Sequence, residues 1–160
     1  MEHQKISCML LTAGIIAMLG GAALFLVYAP VAANECCLAY PELSFLFWPS
    51  LIYLWIIGLL YCMAMFEYFR VCLRIRQDRS FCRQNAAGLN HIALFMSTAG
   101  FLWGLLPLLL TLIYRINIGP SYLIFLLAAM ASFALGLLAW ALGKLLARAV
   151  KLKEENDLTV

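Results

Sequence analysis

Apolar residues fall in four long runs along this chain, broken by short polar connections. The runs cover about residues 6–28, 45–66, 91–114 and 122–143. Each is close to the roughly 20 residues that a helix needs to cross the hydrocarbon core of a bilayer. The pattern predicts an all-α membrane protein, a four-helix transmembrane bundle forming one integral-membrane domain over residues 1–160.

The breaks differ in kind. Asn34 to Ser44 is a short polar connection with Glu35, Cys36, Cys37, Pro41 and Glu42 and no basic residue. Residues 67–90 form the only long polar segment, a loop whose first part, Glu67 to Arg76, extends the second helix beyond the membrane. Arg83 to Asn90 forms a short helical approach to the third span. Pro107 removes a backbone hydrogen bond in the third span and predicts a kink there. Arg115 to Gly119 is long enough only for a tight turn, and residues 144–160 form a tail. Residues Ala29 to Asn34 also imitate a signal-peptidase site. The apolar run before them is longer than the usual signal sequence, so an uncleaved first span is expected.

Composition agrees with bilayer as the solvent. Of 160 residues, 66% are hydrophobic and 12% charged, against roughly 45–50% and about 25% in soluble domains. Charge then sets the orientation. Lys5, Arg70, Arg74, Arg76, Arg79, Arg83, Lys144, Arg148, Lys151 and Lys153 lie on one side of the four runs, and only Arg115 on the other. Ten basic residues against one predict that both termini and the central loop are cytoplasmic.

Small residues predict where helices touch. Without a hydrophobic drive between helices in lipid, close backbone approach does the work. Ala13, Ala17 and Gly21 recur at four-residue spacing in the first span, Gly100 and Gly104 in the third, and Ala128, Ser132 and Gly136 in the fourth. The first and fourth faces are expected to pack within the monomer. Gly100 and Gly104 would then take the second span or form a homodimer.

The stretch Asp78 to Ala93 carries a resemblance. Phe81, Asn85, Leu89 and Ile92 match a Gly-x-Pro-Phe-Ser/Thr-x-x-Asn pattern followed by a leucine and an isoleucine. Asp78, Ser80 and Cys82 replace its Gly, Pro and Ser/Thr. This resembles domain-of-unknown-function family 2975, the YoaS-like small bacterial four-span membrane proteins, whose usual ending is also similar to Glu154 to Val160. The resemblance implies a bacterial plasma membrane. Its members are often encoded beside a small helix-turn-helix regulator, which implies a cytoplasmic partner; no reaction comes with it. Read physically, Phe81 can staple onto Ala86 or Leu89, and Ser80 or Cys82 stands where a cap is needed.

Candidate chemistry is sparse. The span interiors hold no Asp, Glu, Lys or Arg, the residues that usually mark ion paths and proton relays, so an enzyme is not expected. The cysteines and histidines show no metal-ligand spacing, and no cofactor is expected. No stacking platform accompanies the basic loop, so direct nucleic-acid binding is not expected. Arg70, Arg74, Arg76, Arg79, Phe81, Arg83 and Asn85 are the candidates for contact with a partner or with anionic lipid headgroups. The acidic tail is either solvated or docked onto the arginine loop. The leading reading is a non-enzymatic membrane protein that binds a small transcription regulator through the loop. The alternative is a small transporter, channel or efflux accessory subunit.

Overall fold

The computed structural model describes residues 2–39, 41–77, 82–113, 115 and 121–157. Five α-helices follow in order: α1 (Glu2–Ala23), α2 (Ala29–Ala39), α3 (Phe47–Arg76), α4 (Arg83–Leu112) and α5 (Ser121–Asp157). A π-helical turn, Leu24–Tyr28, joins α1 to α2, and a 3-10 turn, Pro41–Leu46, leads into α3. Among the described residues four stretches are long and apolar enough to cross a membrane: Leu11–Glu35, Ser44–Arg76, Arg83–Leu112 and Tyr122–Asn156. The predicted all-α, four-span architecture is therefore the one observed.

The first helical rod runs further than the hydropathy suggests. Asn34, Glu35 and Cys37, expected in a connection, lie in α2. Alanines at 29, 32, 33 and 39 favour helix strongly enough to carry it on. The rod also has to pass Pro30, which has no amide hydrogen and whose ring crowds the preceding turn. A π turn, typically a single widened turn inserted into an α-helix, precedes it. In that register the Ala29 amide donates to the Leu24 carbonyl. The next carbonyl, Phe25, would look to residue 30, which is proline. The indole Nε1 of Trp55 on α3 donates to it instead, at 3.2 Å. The proline thus orphans a carbonyl inside the membrane, and a neighbouring helix satisfies it.

This pairing makes a testable coupling. Trp55→Phe should destabilise the protein by about 1 kcal/mol, in line with hydrogen bonds between membrane helices. In a Pro30→Ala background, where the backbone can satisfy itself, the same change should cost less. Denaturation of the four proteins in detergent measures the coupling; equal costs in both backgrounds would refute it.

The closest packing joins α4 to α5. A Cβ added to Gly136 would stand 2.7 Å from Ser97 Oγ and 3.2 Å from the Ala93 carbonyl. At Gly143 it would meet Asn90 Oδ1 at 2.9 Å and the Ala86 carbonyl at 3.3 Å. Gly100, from the other side, faces the Ala129 carbonyl at 3.1 Å and the Phe133 ring. Ser132 and Ala129 are buried in the same seam. The small faces of the third and fourth spans therefore meet each other, because each lets the other's backbone close in. Gly100 therefore faces α5 and not the second span.

The first-span face is the other correction. Among the described residues α1 makes no contact with α5; it leans on α3. Its close-approach residue is Gly14, buried against the Tyr68 and Phe69 rings, one position out of phase with the expected stripe. Ala13 and Ala17 are exposed, and Gly21 has open space around it. Gly104 likewise has nothing within 4 Å of an added Cβ, and Ala128 is half-buried. Pro107 is buried within an α4 that runs on to Leu112, and its carbonyl accepts from Thr111 Oγ1 at 2.8 Å.

Tyr61 of α3 ties the spans together. Its ring lies 5.9 Å from the Phe25 ring of the first span, and Phe25 itself sits over Gly58. Its hydroxyl accepts from Trp103 Nε1 of α4 at 3.1 Å and bonds Ser132 Oγ of α5. Ser132 donates to the Ala128 carbonyl at 2.8 Å, so the proton in the Tyr61–Ser132 bond comes from tyrosine. Every polar group in this relay then has a partner, as burial in lipid requires.

Candidate interaction face at the arginine-rich end

Three helices carry the structure beyond the hydrocarbon core on the side where the basic residues gather. At 1.5 Å per residue, the 37 residues of α5 make a rod of about 55 Å, against a core of about 30 Å. The two 30-residue helices α3 and α4 extend likewise. The ends of α3 and α5 and the start of α4 therefore stand side by side.

The charged side chains there brace one another. Glu67, largely shielded by α4, holds Arg70 at 3.4 Å on its own helix and lies 3.7 Å from His91 Nδ1 on α4. Gly88 makes room for this contact; its α-carbon faces Val71 and Glu67 Oε2. Arg74 Nη1 donates to the Gln84 carbonyl at 3.2 Å, satisfying part of the loop's backbone. Asn85 is buried at the start of α4. Cys82 is the N-cap residue of α4 and makes no side-chain capping bond; the Asn85 amide donates to its carbonyl.

The tail docks onto this face. Arg83 makes a two-pronged contact with Glu154 of α5, Nε to Oε1 at 3.0 Å and Nη2 to Oε2 at 2.6 Å. Of the two readings of the tail, the docked one is the one seen. The hydrogen bonds from Arg83 hold the Glu154 carboxyl below its ordinary range, while Glu154 raises the Arg83 guanidinium. Both groups stand beyond the predicted spans. A depressed carboxylate contributes above its unfolded pKa and is lost as pH falls through the folded value. Amide protection in residues 144–157, taken relative to the intrinsic exchange rate at each pH, should therefore hold through neutral and mildly acidic pH and fall on further acidification, more than in Glu154→Gln. An identical acid response in that variant would rule the clasp out.

Not every candidate is engaged. Arg76 is exposed at the end of α3; Arg79 and Phe81, and with Phe81 the expected staple, lie outside the described residues. The residues least visible from sequence are Gly14, Gly58, Gly88 and Gly143, together with Trp55, Tyr61 and Trp103. A signal did exist for the last three: an indole or phenol deep in an apolar run needs a partner for its polar tip.

The fold and the braced charged end define a small multi-pass helical membrane protein. The profile described as a protein of unknown function (DUF2975) matches residues 31–160, and the chain belongs to that family. Its similarity to a relative extends through the first span as well. Over 157 residues, 98% of this chain and 94% of the relative, it is 26% identical to a Bacillus subtilis (strain 168) protein named uncharacterized membrane protein YoaS. No solved structure matches the chain.

Proposed function

We propose that the arginine-rich end faces the cytoplasm and is a non-enzymatic docking platform for a cytoplasmic protein with a carboxylate-rich surface. The observation that carries this reading is the Arg83–Glu154 clasp. The clasp gives the platform a carboxylate already seated on an arginine, so a partner carboxylate would find a matching fork once Glu154 is displaced. Bidentate arginine–carboxylate geometry is among the more specific charged contacts, yet a solvent-exposed pair is a weak one, so exchange costs little. Arg74 and Arg76 stand on the adjoining helix end. The neighbouring-gene association that comes with the resemblance makes a small helix-turn-helix regulator the first candidate partner.

The protein in nanodiscs should retain the same cytoplasmic proteins reproducibly. It should lose them when Arg74, Arg76, Arg79 and Arg83 are all changed to Gln, and bind them more tightly as Glu154→Gln, which frees Arg83. Recovery of the same proteins by all three forms would remove the reading.

A further inference from the structure

A second feature sits apart from the platform, on the seam between α1 and α3. Two close contacts mark this seam, one from α1 and one from the π turn that follows it. Near the arginine side, Gly14 takes the Tyr68 and Phe69 rings. Farther along, Phe25 rests on Gly58 and its carbonyl accepts from Trp55. Between these contacts lies an open cavity of about 370 Å³. Its floor is small, with Ala17, Gly21 and Gly58, and its walls include Trp55, Leu59 and Cys62. The walls are almost wholly apolar and offer no group that could orient a polar ligand.

The wall leads to a cation. Trp55, Leu59, Cys62, Phe66 and Arg70 follow one another at spacings of three and four, so they form one ridge on α3. Arg70 ends it, its guanidinium 4.5 Å above the Phe66 ring and its side chain 51% exposed. Glu67 takes one nitrogen of Arg70 but turns toward His91 on α4, leaving the outer edge of the guanidinium open. From Leu59 to Arg70 the ridge rises about 16 Å, close to the roughly 15 Å depth of one leaflet's hydrocarbon. A single molecule can satisfy both ends only if it carries an anionic head and an alkyl tail at that separation.

We propose that the α1–α3 groove is a specific site for one anionic phospholipid of the leaflet on the arginine side, its phosphate on Arg70 and one acyl chain in the groove. Lipid in general would wet this surface; the fixed spacing between cation and cavity selects the anionic headgroup.

The test uses the full chain in phosphatidylcholine vesicles doped with a phosphatidylglycerol carrying a photoactivatable group midway along one acyl chain. Crosslinks should map to the groove around Met18 and Cys62, saturate, and be competed by unlabelled phosphatidylglycerol but not by added phosphatidylcholine. Arg70→Gln should weaken that competition about fivefold, the worth of one cation beside anionic lipid. Gly21→Leu projects into open space, so it should abolish the crosslinks while leaving the melting temperature unchanged. Should that variant melt early, Ala17→Leu fills the same cavity from an exposed position and serves in its place. Equal competition by phosphatidylcholine would reduce the groove to ordinary lipid contact, and crosslinks from chain to chain would make it a subunit interface. Either result overturns the proposal, as would unchanged crosslinking in a folded groove-filling variant.

Discussion

Gly136→Leu is expected to break the α4–α5 pair and leave little folded protein. A single added carbon would already stand 2.7 Å from Ser97 Oγ and 3.2 Å from the Ala93 carbonyl. One of those neighbours is backbone and cannot rotate away, so the helices must separate along the seam. Overpacking of well-filled cores costs about 1–3 kcal/mol and sometimes more, and here the contacts at Gly143 and Gly100 would loosen too. Gly100→Leu should act the same way through the Ala129 carbonyl and Phe133. Gly104→Leu is the control: nothing lies within 4 Å of its added Cβ, so it should melt like the parent. Thermal unfolding in detergent separates the three. A Gly104 variant as damaged as the other two would mean that helix propensity or insertion, not the seam, governs the result.

Tyr61→Ala should be comparably severe for a different reason. It removes the ring that packs on Phe25 and the hydroxyl shared by Trp103 and Ser132. Truncation of a packed aromatic costs about 3–5 kcal/mol. Tyr61→Phe keeps the ring and should cost only about 1 kcal/mol, near the usual value for hydrogen bonds between membrane helices. The gap between the two variants measures how far the hub is packing and how far it is polar. If phenylalanine proved as damaging as alanine, the hydroxyl rather than the ring would hold the bundle together, the reverse of the expected order.

Hydropathy alone makes the four spans legible, because a bilayer demands long apolar helices and leaves few alternatives. The helical extension through Glu67 to Arg76 and the approach from Arg83 are legible too, since charged residues at helical spacing continue a helix already begun. Which faces meet is harder to read. Ala13, Ala17 and Gly21 have the right spacing, yet Gly14 beside them makes the contact, because a stripe gives periodicity but not the identity of the partner. Gly136 and Gly100 look like separate faces in sequence and turn out to line one seam, each against the other's helix. The Trp55 bond to Phe25 follows from Pro30 only once the π turn is known. The arginines read as a surface available to others; Arg70, Arg74 and Arg83 are engaged first within the protein, because carboxylates and carbonyls from distant segments converge on them.

The docking reading requires the arginine-rich end to lie in the cytoplasm, and accessibility in intact cells measures whether it does. With the six native cysteines changed to alanine, single cysteines would replace Glu42, Gln77 and Glu155. An impermeant maleimide should label only the residue-42 variant in intact cells and all three after lysis. Labelling at 77 and 155 but not at 42 in intact cells would invert the protein and contradict the assignment.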